Sequence, residues 1–263
     1  EVEPNASIAG TPHGWKLSGT LPDKDGVSLL QTVNGEIGVN LDVVDVFGMR
    51  LGTTTIVARA RDGKIEIDPI DATLNSGRLH LEPTVITDKQ GITWLHFGPT
   101  SALMDAVVNE EVSQRVLSYA ASALYQATRV RGRVSLSLNE AFIPIAAGPD
   151  VQARIDGDIL FDSVEFMPGP FLDQLIGLFK QERRPLLVLH DPVSIRIVGR
   201  MIYQEGLIIP LGTVAAIGIE GAVDFDQNID LVASFAFAPP RKEVPVLSDL
   251  LANTQIQVPI KGT

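Results

Sequence analysis

The stretch DFDQNID carries the oxygen-bearing side chains that come closest to a metal-binding motif. Asp224, Asp226, Asn228 and Asp230 follow the alternate spacing of ligands in a calcium-binding loop. Such a loop needs glycine at its sixth position and glutamate at its twelfth, and this stretch has neither. Strand-like alternation on both sides favours a hairpin turn whose carboxylates face water. We therefore predict no metal here.

The adjacent pair His190 and Asp191 has the residue types of acid–base catalysis. Neighbouring residues in a strand point to opposite faces, so a polar pair beside a turn is the simpler interpretation. The sequence has no nucleophile elbow, no Walker loop, no zinc motif and no dinucleotide fingerprint. It also has no cysteine, which excludes disulfides and thiolate chemistry. We predict that the protein is not an enzyme and holds no cofactor.

The composition restricts the partners of the chain. Its 263 residues carry a net charge of -11 without a basic cluster, which disfavours nucleic acid. No run approaches the roughly 20 apolar residues of a membrane-spanning helix. The sequence starts at Glu1 and stops at Thr263 within an apparent strand. We therefore expect a single β-rich domain, 1–263, excised from a longer chain whose anchor lies outside this segment.

The elements that must position any site are mostly strands with a period of two. Four of these strands are VRGRVSLSL (130–138), VQARIDGDILF (151–161), VSIRIVGRM (193–201) and IGIEGAVDF (217–225). Each has a glycine on its apolar parity, at Gly132, Gly157, Gly199 and Gly221. The alternation favours glycines inside strands, at a crease where a sheet bends sharply. Hairpin turns at 156–157 and 220–221 are the alternative, and Gly35 is either a fifth case or part of an Asn-Gly turn.

Two stretches predict amphipathic helices. The first covers roughly 110–126, with Asn109 as N-cap. The second follows Pro170, and its apolar side chains include Phe171, Leu175 and Phe179. Because the other segments alternate at period two, the predicted class is β-rich α+β. The predicted sheet is strongly curved, mainly antiparallel and shaped as a groove or partial barrel, with these two helices appended.

The chain also contains a weak internal echo. The stretches RDGKIEIDPIDATLNSGRLHL (61–81) and QEGLIIPLGTVAAIGIEGAVDF (204–225) share an order of turn, isoleucines and a glycine-led strand. This order indicates either a duplication, covering 35–83 and 193–235, or chance similarity between hairpins.

Two longer segments resemble a known family. DVFGMRLGTTTIVARARDGKIEIDPIDATLNSGRLHLEP (45–83) resembles the AsmA-like, TamB-related envelope proteins. The C-terminal IGIEGAVDFDQNIDLVASFAFAP, followed by IQVPIKGT, is similar to the recurrent ending of that family. The resemblance covers most of 35–263. It implies a curved sheet with an apolar concave face that handles lipid between the two membranes of a cell envelope, on the periplasmic side.

The resemblance implies that the partners are a lipid or other apolar ligand, neighbouring domains of the longer chain, and a possible membrane surface. The helix with Phe171, Leu175 and Phe179 is either core or a lid or plug over the groove. The alternative function is a structural or interaction module whose core is filled by its own side chains. The predicted groove-lining residues are Val134, Leu136, Ile155, Ile159, Phe161, Ile195, Ile197, Ile219, Val223 and Phe225.

Overall fold

The computed structural model describes residues 7–18, 34–46, 48–61, 64–113, 128–145, 151–169, 173–174, 186–187, 191–211, 215–226, 228–237 and 256–262. The chain clusters into two compact units. Unit 1 comprises residues 1–106 and 137–155, and unit 2 comprises residues 107–136 and 156–263.

The described residues are mostly strands. Their bounds are β1 (Ser7–Ser18), β2 (Asn34–Val46), β3 (Met49–Leu51), β4 (Thr54–Arg61), β5 (Lys64–Ile67), β6 (Ile70–Leu74), β7 (Gly77–Leu81), β8 (Pro83–Thr87), β9 (Thr93–Phe97), β10 (Ala102–Val108), β11 (Thr128–Ile145), β12 (Arg154–Met167), β13 (Leu186–Leu187), β14 (Val193–Val198), β15 (Met201–Leu211), β16 (Ala215–Asp224), β17 (Ile229–Phe237) and β18 (Ile256–Gly262). One short helix, α1 (Glu110–Val112), accompanies them.

The strands of unit 1 form two antiparallel ladders that share β2. One ladder runs β1–β2–β4–β5–β8–β9 and continues to the 141–145 part of β11. The other runs β2–β3–β6–β7–β10. Several sequence-neighbouring strands pair through short turns, which is typical of strands that follow one another without intervening helices. At the β6–β7 turn, Asn75 and Ser76 have φ values of 47° and 63°, as a two-residue hairpin turn requires.

Unit 2 contains an antiparallel meander, β14–β15–β16–β17–β18. Its register places the alternate apolar residues of neighbouring strands side by side on one face. For example, Leu207 of β15 is opposite Ile219 of β16, which is opposite Ala233 of β17, and none of the three is more than 1% exposed. The core of unit 2 lies on this face. The mainly antiparallel, β-rich class predicted from alternation is confirmed.

Gly132 and Gly221 lie inside strands, as predicted, and both positions require glycine. Their φ values are 144° and 136°, a region that other residues rarely adopt. A Cβ at Gly132 would lie 2.6 Å from Cα of Val164, and one at Gly221 would lie 2.4 Å from the carbonyl oxygen of Asp230. Neighbouring backbone therefore occupies the space of the missing side chain at both sites.

Of the remaining predicted glycines, two lie inside strands and one lies in a turn. Gly157 is buried inside β12, and Gly35 lies in β2, where it pairs with Ala60. Neither forms the hairpin turn that the sequence left open as an alternative. The strand assignment of Gly199 is wrong, because β14 ends at Val198 and Gly199 starts a two-residue hairpin turn with φ of 64°.

The two appended amphipathic helices are not confirmed, because the described residues contain only α1 and two helical residues, Asp173 and Gln174. Asn109 caps α1 as predicted, its side-chain oxygen accepting a hydrogen bond from the backbone N of Val112 at 2.9 Å. Residues 114–127, which include the rest of the first predicted helix, lie outside the described residues. So does the second predicted helix, apart from Asp173 and Gln174. Within the described ranges, no helix is long and apolar enough to cross a membrane.

The internal echo covers different elements in the two units. Residues 61–81 form β5, β6 and β7 in unit 1, whereas residues 204–225 form most of β15 and β16 in unit 2. A duplication therefore stays a prediction.

Candidate functional site

Most of the residues predicted to line a groove belong to unit 2 and are buried. The exposed fraction is between 0% and 8% for the six that pack most completely. These six are Val134, Ile159, Phe161, Ile195, Ile219 and Val223. Leu136 and Ile197 of unit 2 and Ile155 of unit 1 are half-buried. The apolar face of unit 2 is thus closed within the folded chain rather than open to a ligand.

The register of unit 2 brings four of these residues onto one face of the meander. Ile197 is opposite Ile202, which in turn is opposite Val223. Ile195 is opposite Gln204, a polar side chain that is only 3% exposed within this apolar surface. The prediction that these strands share an apolar face is correct.

Phe225 does not belong to this face. β16 ends at Asp224, and Phe225 is 44% exposed in the following turn. The turn is closed by Asp224, whose carboxylate accepts hydrogen bonds from the backbone N of Asp226 at 2.9 Å and of Asn228 at 2.8 Å. The side-chain amide of Asn228 also donates to this carboxylate, and these bonds lower the pKa of Asp224. The predicted hairpin turn in DFDQNID is confirmed.

The lid or plug residues Phe171, Leu175 and Phe179 lie outside the described residues, so their role stays a prediction.

Unit 1 has an apolar face that is much more open. Ile37 and Val39 of β2 are 39% and 36% exposed, and Ile143 and Ile145 of β11 are 38% and 41% exposed. Half-buried apolar side chains of β4, β5, β8 and β9 lie on the same side of the ladder. We call this surface the unit 1 apolar face; its members are Ile37, Val39, Ile56, Ile65, Ile67, Val85, Leu95, Ile143 and Ile145.

The strand register makes this surface continuous. Gly35 pairs with Ala60, Ala60 with Ile65, and Leu95 with both Val85 and Ile143. The pair Glu66–Thr84 places Ile65 beside Val85. One row of uncharged residues therefore crosses six strands. At about 4.8 Å per strand, the row is about 24 Å long.

The opposite face of the same ladder carries the charged side chains, together with Ile86, Trp94 and Phe142. On β4, Arg59 donates to Glu36 of β2 at 2.8 Å and makes a second ion pair with Asp68. Both carboxylates raise the pKa of Arg59, that of Asp68 more strongly. At the other end of the ladder, His96 of β9 lies 3.6 Å from Glu140. The charged side chains on this face pair with one another, as expected of a face in contact with water. The unit 1 apolar face has no charged residue, and a large exposed apolar surface is uncommon on a folded protein.

Sequence reasoning missed the unit 1 apolar face. Alternation in GEIGVNL, TTIVARA and KIEI indicates which side of each strand is apolar, and it does so equally well in unit 2. Whether other chain segments cover that side depends on tertiary packing, and the alternation of residues carries no information about tertiary packing.

Unit 2 also has a shallow polar cavity of about 480 Å³. Its lining includes the carboxylates of Asp156, Glu205 and Glu220, together with Tyr203 and Arg196. The guanidinium of Arg196 lies 5.3 Å from the centroid of the Tyr203 ring. This charged lining does not suit an acyl chain. Among the described residues, no group of three or more His, Cys, Asp or Glu could hold a metal ion.

No family model, curated protein or solved structure matches this chain. The resemblance to AsmA-like envelope proteins therefore stays a prediction.

Proposed function

We propose that this chain is a non-enzymatic segment of a cell-envelope protein and that the unit 1 apolar face binds the acyl chains of lipid. One observation carries the proposal. The row of uncharged residues that runs from Gly35 to Ile143 is about 24 Å long by strand spacing, and its last member, Ile143, is exposed. An acyl chain in a bilayer leaflet spans about 15 Å, half of the hydrocarbon core. The row is long enough to accommodate one.

The amphipathic character of the ladder supports this proposal. The ion pairs of Arg59 with Glu36 and Asp68 lie on one side, and side chains that are 36–41% exposed lie on the other. Large open apolar surfaces are uncommon on folded proteins and mark places where a partner or a lipid binds. A strongly curved, groove-like sheet that conducts lipid between membranes on the periplasmic side is the finer form of the proposal.

A second function is favoured for unit 2. Phe161, Ile217 and Leu207 are 0% exposed, so this unit has a core filled by its own chain. That packing suits a structural or interaction module in envelope assembly. In this proposal, unit 1 contacts lipid and unit 2 is a stable structural domain.

Lipid extraction from purified protein tests the proposal. The full chain, expressed in a bacterium and purified without detergent, is expected to carry phospholipid that is detectable by native mass spectrometry. The double substitution Ile143→Asn and Ile145→Asn removes two open apolar contacts and should lower lipid affinity about 10-fold or more.

Ile86→Asn is the matched control. Ile86 is 40% exposed, but it lies on the opposite face of the ladder, since it pairs with Trp94 rather than with Leu95. This variant should retain its lipid. Protein without lipid, or equal loss in both variants, contradicts the proposal for unit 1 and favours the filled structural module.

A further inference from the structure

A pair of hydroxyl groups borders the unit 1 apolar face. Thr87 of β8 pairs with Thr93 of β9, and Thr93 pairs with Ile145 of β11. These three side chains form a second row on the same face, parallel to the row through Val85 and Leu95. Two residues of a strand separate the rows, so they lie about 7 Å apart. Because Thr87 is exposed and Thr93 is half-buried, a molecule on this face can reach both hydroxyls.

The two hydroxyls use only one of their two hydrogens on each other. Oγ1 of Thr87 lies 3.2 Å from Oγ1 of Thr93, so one hydroxyl donates a hydrogen bond and the other accepts it. The accepting hydroxyl keeps its own hydrogen, because each hydroxyl group is a donor as well as an acceptor. Within the described ranges, neither oxygen has another hydrogen-bond partner. The pair therefore has one donor available to a ligand.

This donor is unusual on the unit 1 apolar face. Where β2, β4, β5, β8, β9 and β11 pair with one another, one further hydroxyl lies on the apolar side, that of Thr54. Thr54 is only 6% exposed, and its hydroxyl already donates to the carbonyl oxygen of Asp71 at 2.8 Å. The other side chains described on that side of the paired strands carry no polar atom. The polar end of a bound lipid therefore has one place at which a side chain can donate to it.

We propose that the Thr87–Thr93 pair binds the carbonyl group of an acyl ester and so orients an ester-linked lipid on this face. An ester carbonyl only accepts hydrogen bonds, and the pair has a donor to give. From β9 to β2 the ladder crosses four strand spacings, about 19 Å, which exceeds the length of about 15 Å of an acyl chain in a leaflet. The methyl end then points toward Ile37 and Val39 of β2. The inference rests on the proposed binding of acyl chains by this face.

Two lysophospholipids that differ in one carbonyl group test the assignment. Palmitoyl lysophosphatidylcholine has an ester linkage, whereas hexadecyl lysophosphatidylcholine has an ether linkage at the same position and the same headgroup. Binding of each to the full chain is measured by native mass spectrometry, below the concentration at which the lipid forms micelles. We expect the ester to bind about 5-fold more tightly than the ether, as the net effect of one hydrogen bond.

The double variant Thr87→Val with Thr93→Val removes both hydroxyls. Valine keeps the β-branched shape that strands favour, so the fold should persist. This variant should bind the ester and the ether equally, with no loss of affinity for the ether.

Thr84→Val is the matched control. Thr84 pairs with His96 on the opposite face of the ladder, where its hydroxyl lies 3.1 Å from Nδ1 of His96. This variant should keep the preference for the ester.

Equal binding of the ester and the ether by the unchanged chain overturns the assignment and leaves acyl-chain binding in place. So does a preference that survives in the double variant, or one that Thr84→Val removes equally. Binding of neither lipid contradicts the proposed function itself, and with it the orientation inferred here.

Discussion

The two units bury their apolar faces to very different extents. Ile217 and Ile219 of unit 2 are 0% and 1% exposed, whereas Ile37 and Ile143 of unit 1 are 39% and 38% exposed. The side chains are the same and the strands are antiparallel in both. The difference shows that a sheet can be equally amphipathic in sequence and still serve as a closed core in one unit and an open surface in another.

The largest expected effect comes from truncating the unit 2 core. Phe161→Ala removes a ring that is 0% exposed, and should lower the free energy of unfolding by about 3–5 kcal/mol. Ile143→Ala, on the open face of unit 1, should cost only about 1 kcal/mol because much of that side chain already contacts water. Urea denaturation measures both. Similar losses would mean that the two faces are equally packed.

Glycine replacement should give the next largest effect. Gly221→Val combines an unfavourable φ of 136° with a Cβ that would lie 2.4 Å from the carbonyl oxygen of Asp230, so it should destabilise unit 2 by about 3 kcal/mol. Gly98→Val in unit 1 is the control, since a Cβ there meets nothing within 4 Å. Thermal unfolding compares the two. A tolerated valine at position 221 would contradict the close backbone approach described here.

The smallest expected effect is a dependence of unit 1 on pH. His80 lies 2.8 Å from Asp71 and 3.3 Å from Glu82, and bonds to these carboxylates, first to Asp71, raise its pKa. Its stabilisation is complete below the unfolded-state pKa of about 6.5 and is lost as the pH rises through the higher folded-state value.

Hydrogen exchange of β6 and β7 measures this effect. Protection in the unchanged chain should fall as the pH rises above about 6.5, beyond the intrinsic change in exchange rate. His80→Gln should remove the fall, and His96→Gln should leave it in place. A fall that survives His80→Gln would assign it to other groups.

The sequence predicted the strand faces well and their boundaries less well. Ile195 and Ile219 share a face because period two follows from the backbone itself. Gly199 and Phe225 also continue that period in the sequence, yet both lie in turns. Beyond Gly199 the parity changes, since Met201 pairs with exposed Val198 while Ile202 enters the core.

The open and closed faces could not be distinguished from sequence, for a physical reason. Val39 and Ile219 occupy equivalent places in their alternating patterns, but their burial depends on what other segments pack above them. The residues of the unit 1 apolar face are likewise scattered between positions 37 and 145 and meet only through the register of their strands. Local spacing carries no record of such long-range neighbours.

Trp94 is an intrinsic fluorescent probe of this part of unit 1, because its hydrogen bond to Asp88 holds it against the β8–β9 turn. The chain contains two tryptophans, Trp15 and Trp94, so Trp15→Phe leaves a single emitter. That indole is 8% exposed, tied to the β8–β9 turn at 3.0 Å and stacked near the guanidinium of Arg154. Any event that moves the turn or withdraws Arg154 changes the polarity around the ring. The wavelength of its fluorescence therefore reports on this end of unit 1 without an attached dye.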